Sequence, residues 1–561
     1  MELLWVAVGA LTASAAAVWW SWAHRAFLLY GDAEAHIHIA RRLFDSHRPG
    51  IGQLGSVWLP LPHLLMAPFL AIDPWWRNGF AAVIPSAVCY VVSCMVLYSL
   101  LRKWLSAAAS GVGLAFFALN PNLLYLQTTA MTEPLFLCLL VASVLLLVLW
   151  YQRLEDTAGN GIGDGWLWVV IVVLVEAVYT RYDGWILAFL AWAAMAVCLY
   201  RRGRLLRRGF VAASVVLLLA PVSWMVYNAV LFDDWLDFMR GPYSAKAIEL
   251  RTASSAVDPH PGWHNGWVAL KYFVKAAEMD AVAVGYGWLL LLVAVVGTVW
   301  AFKYIKPALP KTAQHFHADG RKLGRAALGW TLLLWLPLPF YAYSVSYGSV
   351  PIFLPVWTPF SWYNTRYGME LLPALAFFMA FVVEWLLGAV KRAWPRHRLV
   401  IVVALLALVV GNMLQMLKER PLIFVEALKN NESRNYYNEV LADALRHLHE
   451  LNPDGVMLMD TSSFPSLVPH AGMTYRQTIN ESDKQFYHAA LAAPAEHVAV
   501  VMAFDGDEID KAVKAHPEHL RLYRRFKSPF KGWDQPGVSI YVADTFPGDA
   551  ATQLSTAMVT R

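Results

Sequence analysis

Apolar runs of about twenty residues recur along the whole chain, and this one feature decides what it can fold into. A hydrocarbon core about 30 Å thick takes about 20 helical residues to cross, at about 1.5 Å of rise per residue. Clear runs occupy residues 3–22, 80–101, 134–151, 184–200, 281–302, 369–390 and 399–416. Lipid offers no partner to a free backbone N–H or C=O, so each run must close its hydrogen bonds internally as a helix. Composition agrees: 58% of the residues are hydrophobic and only 15% are charged, against about a quarter in a soluble domain. The chain is therefore expected to be a mainly α, polytopic membrane protein with about eleven transmembrane helices. The first run has no basic segment before it and no small-x-small pattern after it, so it is expected to be a retained span. Cys89, Cys94, Cys138 and Cys198 all fall inside apolar runs, which argues against a disulfide framework.

Lys and Arg gather in alternate connections. Arg102 and Lys103 form one group; Arg201, Arg202, Arg204, Arg207 and Arg208 form a second. Residues 303–325 and then Lys391, Arg392, Arg396 and Arg398 continue the set. Short loops this basic and this poor in acids face the cytoplasm. The other set, residues 30–58, 120–133, 180–183, 232–280 and 343–368, mixes acids with bases and is rich in Trp, Tyr, Pro and Gly. The expected topology has the N-terminus in the cytoplasm and the segment after Met416 outside a cytoplasmic (inner) membrane. These charges are accounted for by orientation, and no nucleic-acid module accompanies them.

Two outer segments are long. In the first, residues 33–44 read as a helix, and the stretch 57–72 carries Pro60, Pro62 and Pro68, which marks an interfacial or broken helix. The second begins near residue 421. It alternates helical patterns (435–451, 508–516) with strand patterns (456–460, 497–504, 539–542), as a small soluble α/β domain does. The expected organisation is a membrane domain over residues 1–420 and an outer α/β domain over 421–561.

Ionisable residues beside apolar spans are expensive to bury, so those at the outer mouths invite a functional reading. The densest group is Asp32, Glu34, His36, His38, Arg41 and Arg42. On a helix from about Ala33, Asp32 would cap the N-terminus, and Glu34 and His38 would share a face one turn before the arginines. Glu133 opens a span directly before Pro134; Arg181 and Asp183 open another; Arg366 and Tyr367 precede a third. One outer vestibule with carboxylates, arginines and aromatics suits a reaction between a phosphate-bearing lipid and a hydroxyl or amine. A carboxylate deprotonates the acceptor and an arginine stabilises the departing phosphate.

The runs GDAEAHIHIARRLFDSHRPGIGQLGSVWLPLPHLLMAPF (from Gly31), NPNLLYLQTTAMTEPLF (from Asn120), TRYDGW (from Thr180) and NTRYGMELLPA (from Asn364) carry a resemblance. Over residues 1–420 the chain resembles bacterial membrane glycosyltransferases of the GT-C fold, the relatives of protein O-mannosyltransferases, aminoarabinose transferases and oligosaccharyltransferase catalytic subunits. The resemblance implies transfer of a sugar from a polyprenyl-phosphate donor to a lipid, glycan or protein acceptor at the outer face, with inversion. It places the essential acid at Asp32, followed by Glu34 in an Asp-x-Glu arrangement where the mannosyltransferases have adjacent Asp-Glu. Glu133 matches a second acidic position. Arg366 fits the arginine that meets the lipid phosphate, with Arg181 beside it. His36, Trp58, Asp183 and Tyr367 complete the expected substrate-contacting set. Asp32, Glu34, His36 and Glu133 also carry the donor types of a divalent ion such as Mg²⁺ or Mn²⁺, which some members of the fold bind and others do not.

A transporter or flippase would place its charges near the bilayer midplane and often show repeats, whereas here they collect at the outer boundary. A scaffold or sensor would need far fewer spans. Within the enzymes, a lipid-linked oligosaccharide ligase is the nearest alternative.

Overall fold

The computed structural model describes residues 1–156, 164–252, 259–283, 285–305, 324–462, 464–527 and 537–547. Most of the expected basic loop 303–325 and parts of the segments 152–165 and 232–280 lie outside the described residues. The chain divides into two compact units. One comprises Met1–Phe27, Ser56–Pro62 and Ala82–Ala427, and the other Leu28–Gly55, His63–Ala81 and Leu428–Arg561. The second unit thus gathers most of the first segment expected to be outside together with the tail.

Among the described residues, nine helical segments are long and apolar enough to cross a membrane. They are Glu2–Ala23, Phe80–Leu101, Glu133–Glu155, Tyr182–Tyr200, Arg208–Phe232, Gly287–Tyr304, Arg325–Tyr347, Thr365–Ala393 and Pro395–Leu451. Ala107–Ala118 and Gly165–Val178 are apolar but short, and they account for the difference from the eleven or so expected. The first ends because Asn120 restarts the chain: its side chain accepts from the backbone N–H groups of Asn122 (2.9 Å) and Leu123 (3.1 Å), capping a new helix Pro121–Leu126. The expected run 281–302 is also broken. Helix Gly266–Ala281 ends there, Val282 turns extended, and the span begins only at Gly287.

The first unit is built around helix Leu372–Ala393, most of whose apolar side chains are buried. Helix Gly287–Tyr304 lies directly against it, and Gly297 makes that possible. A Cβ there would sit 2.0 Å from the carbonyl oxygen of Phe378. Apolar lipid gives two helices no hydrophobic reason to associate, so close backbone approach at small residues supplies the contact. Polar groups inside spans find one another in the same way. Ser14 donates to Gln127 (3.0 Å) and Ser21 pairs with Thr128 (2.8 Å), tying the first helix to the segment after Pro121.

The second unit contains helix Gly31–Arg42 and helix Leu61–Leu70 reaches into it, with Pro68 inside the latter as the prolines led one to expect. Its sheet has five strands: β1 (Met457–Leu458), β2 (Thr478–Ile479), β3 (Val500–Phe504), β4 (Leu520–Phe526) and β5 (Val538–Ala543). Their order is β2-β1-β3-β5-β4; β1 is parallel to β2 and β3, and β5 is antiparallel to β3 and β4. Every residue of β3 is buried, as a central strand requires. Leu458, Ile479, Val501 and Ala503 form its core with Ile509 and Val513 of helix Glu508–Ala515. The outer strand β4 carries Arg521, Arg524 and Arg525, charges that discourage another strand from adding to the edge. The molecule is a mainly helical, multi-pass membrane protein with a small α/β unit that includes its tail.

Candidate active site

In the first unit, Glu133, Arg181, Asp183, Arg366 and Tyr367, read separately from the sequence, come together. Glu133 begins its helix and is fully buried. Its Oε1 accepts from Arg181 Nη1 (3.3 Å) and from Arg366 Nε (3.2 Å). Arg181 also donates to Asp183 (3.1 Å), Thr132 (2.8 Å) and the Tyr341 hydroxyl (2.9 Å), and its Nη2 lies 3.1 Å from Glu370. The Tyr341 hydroxyl in turn donates to Glu370 (2.7 Å). The Tyr367 ring lies against both guanidiniums, with ring centroid distances of 5.3 Å to Arg181 and 5.0 Å to Arg366, and stacks on Tyr341. Trp58 is half-buried in the same unit, between Val57, whose carbonyl accepts from the Tyr182 hydroxyl (2.7 Å), and Leu59, which packs on Trp224 and Phe238.

Two acids of this network, and Tyr341 with them, were missed. Glu370 lies inside the NTRYGMELLPA run, and Glu426 is the one acid in an apolar stretch that opens helix Leu422–Leu451. A lone acid in apolar surroundings was the available signal. Glu426 accepts from the backbone N–H groups of Asn364 (2.9 Å) and Thr365 (2.9 Å), from the Thr365 hydroxyl, and from Arg366 Nη1 (3.0 Å). Asn364 takes a left-handed conformation (φ 54°), which Asn tolerates better than most residues, and this aims successive N–H groups at one carboxylate. Nearby, Asp280 is 1% exposed and neither carboxyl oxygen has a partner among the described residues. Burial first, and the charge of Glu426 second, push its pKa well up.

The second unit carries Asp32, Glu34 and His36 on helix Gly31–Arg42. The expected cap is corrected: the helix starts at Gly31, Tyr30 holds the N-cap position, and Asp32 is half-buried in the first turn. An acid there still complements the helix dipole. The Gly31 N–H donates to Asn430 Oδ1 (2.7 Å). Glu34 is buried and ion-paired with Arg434 of the tail, not with the arginines a turn later. Those have partners of their own: Arg41 bonds Asp45 (2.9 Å) and the Leu70 carbonyl (2.6 Å), and Arg42 lies over the Tyr475 ring. His36 shares a hydrogen bond with His63 (2.9 Å). His38 accepts from Trp76 Nε1 (3.1 Å), and burial beside Arg42, His470 and Arg41 holds its pKa well below the usual imidazole range.

Among the described residues no three His, Cys, Asp or Glu side chains are placed to hold a metal. Glu34 is held by Arg434, His36 by His63, and Glu133 by two arginines.

The sequence matches no family model and no curated protein. The structure is similar to that of ArnT from Cupriavidus metallidurans bound to undecaprenyl phosphate. Identity is 13% and the TM-score 0.52, over 95% of this chain and 97% of that one. The chain has the GT-C fold. The oligosaccharyltransferase of Archaeoglobus fulgidus, tethered to an acceptor peptide, also matches, at 11% identity and a TM-score of 0.41 over 90% of this chain and 69% of that one.

Proposed function

We propose that this protein is a glycosyltransferase. It moves a sugar from a polyprenyl-phosphate donor to a lipid, glycan or protein acceptor at the outer face of the cytoplasmic membrane. The observation that carries this reading is the fold likeness, over nearly the whole of both chains, to a protein bound to undecaprenyl phosphate. The network around Glu133 supports it: two arginines held by carboxylates at the starts of apolar helices are groups that can meet a lipid phosphate. In this reading the basic loops face the cytoplasm, with the N-terminus inside and the tail outside.

In the proposed reaction, an acceptor hydroxyl or amine attacks the anomeric carbon from the face opposite the phosphate. Asp32 takes the acceptor's proton. The bond from the anomeric carbon to the phosphate oxygen breaks, the phosphate leaves with the electron pair, and the configuration inverts. Arg366, with Arg181 beside it, takes up the charge developing on the phosphate. Glu133 orients both arginines, and Glu34 holds the helix that carries Asp32.

The test is transfer from radiolabelled polyprenyl-phosphate monosaccharides to a membrane extract by protein in nanodiscs, comparing wild type with Asp32→Asn, each with and without EDTA. Label leaving the lipid with wild type alone is the expected result. Turnover that survives Asp32→Asn removes Asp32 as the base. No transfer from any donor, with solute or lipid crossing the bilayer instead, overturns the enzyme in favour of a transporter.

A further inference from the structure

Helix Gly31–Arg42 begins without help from its own N-cap side chain. An α-helix leaves its first N–H groups without intrahelical partners, and a buried start needs acceptors from elsewhere. Here they come from a segment about 400 residues later. Asn430 Oδ1 accepts from the Gly31 N–H at 2.7 Å, which supplies the missing cap. One turn further along the same tail helix, Arg434 reaches the start of helix Gly31–Arg42 with two of its nitrogens. Nη2 donates to the Leu29 carbonyl (3.1 Å) and Nη1 is ion-paired with Glu34. Its Nε turns back to the Asn430 carbonyl (3.3 Å), which fixes the guanidinium against its own helix.

Leu29, Gly31 and Glu34 bracket Asp32, and all three are tied to Asn430 or Arg434. Residue 31 has little room for a side chain. A Cβ there would meet Arg434 Nε at 3.1 Å and Asn430 Oδ1 at 3.4 Å. Glu34 is 3% exposed, so its carboxylate has exchanged water for the Arg434 guanidinium.

We propose that Asn430 and Arg434 are positioning residues for Asp32. They fix the first turn of its helix from the tail, so the tail forms part of the catalytic apparatus and is no removable accessory. The proposal rests on the reading of Asp32 as the base. Its cost when lost follows from geometry, because displacing a reacting group by about 1 Å can lower a rate by about 100-fold.

The experiment measures kcat and donor KM for Asn430→Ala, Asn430→Asp and the double variant Glu34→Gln/Arg434→Met, with hydrogen exchange at the amides of residues 31–34. The double variant replaces single loss of Arg434, which would leave a buried carboxylate unpaired and could unfold the protein. Asn430→Ala is expected to lower kcat about 10- to 100-fold with donor KM changed less than about 3-fold. Exchange at residues 31–34 should speed up while the melting temperature holds. Asn430→Asp retains an acceptor for the Gly31 N–H and should restore kcat. The double variant should fold and stay slow. If Asp32→Asn is inactive while Asn430→Ala and the double variant keep kcat within 2-fold of wild type, the positioning role is overturned and the base assignment stands. If Asp32→Asn remains active, the base assignment falls instead. Unchanged exchange at residues 31–34 in Asn430→Ala overturns the anchoring whether or not any donor is turned over.

Discussion

Glu426 gathers four donors onto one buried carboxylate: two backbone N–H groups, the Thr365 hydroxyl and Arg366. Leucine at that position leaves all four without their acceptor. An orphaned buried donor costs about 1–3 kcal/mol, and breaking a buried ion pair from one side costs about 3–5 kcal/mol. The residues from Asn364 to Arg366 can relax together, so these costs overlap, and about 4–6 kcal/mol is expected for Glu426→Leu. Arg366→Leu alone strands the carboxylates of Glu426 and Glu133 on that side and should cost about 3–5 kcal/mol. The double variant lacks both charges, so its loss should fall short of the sum by about 2–3 kcal/mol. The assay is reversible unfolding in mixed micelles, read by tryptophan fluorescence, for wild type, each single variant and the double. Losses that add within about 0.5 kcal/mol, or a loss below about 1 kcal/mol for Glu426→Leu, would refute the claim that Glu426 holds this turn and its arginine.

Arg366→Lys keeps the charge, but one ammonium cannot take over the paths from Nε to Glu133 (3.2 Å) and from Nη1 to Glu426 (3.0 Å); donor KM should rise about 10-fold, measured as initial rates against donor concentration. Glu481 of the second unit is pushed up to about 7, by burial first and by the charge of Asp460 second. Because the folded state holds this proton more tightly than the unfolded chain, its contribution is fully present below about pH 4.5 and is lost as pH rises through about 7, on the order of 3 kcal/mol at most. Glu481→Gln should flatten that loss in melting curves taken from pH 4 to 8; an unchanged slope would count against the shift. Burial and the charge of Glu426 favour the neutral form of Asp280, so Asp280→Asn, a neutral amide of the same shape, should keep the melting temperature at pH 7 within a few degrees of wild type; a large fall would mean that Asp280 is ionised and paired.

The spans were legible because lipid leaves a helix no alternative, so length and apolarity alone suffice. Where backbone geometry intervenes, the reading slipped: Asn120 restarts a helix inside one apolar stretch, and the chain turns extended at Val282 inside another. Strand β4 escaped notice because an edge strand is kept soluble by arginines, which erase the alternation that marks a strand. The residues around Glu133 were legible one at a time, as charges at apolar boundaries, but their pairing was not. The contact from Arg366 to Glu133 spans 233 positions, and nothing local in either segment encodes the other. The same holds for Glu34, whose neighbours in sequence include two arginines and whose partner is Arg434.

Four carboxylates, Glu133, Asp183, Glu370 and Glu426, share two guanidiniums in the first unit. Stability does not call for such an arrangement, since well-packed apolar side chains usually serve as well as a buried ion network or better. Nor does topology, for which the basic loops are expected to suffice. Arg181 even stands at the N-cap position of its helix, where a cation faces the positive end of the dipole, and Asp183 in the first turn offsets that placement. What the carboxylates do accomplish is direction: each arginine is gripped from at least two sides and leans on the Tyr367 ring. A guanidinium held this way is oriented before any anion arrives, and the proposed transfer, which puts charge on a departing phosphate, gains most from donors that need not reorganise when the charge appears.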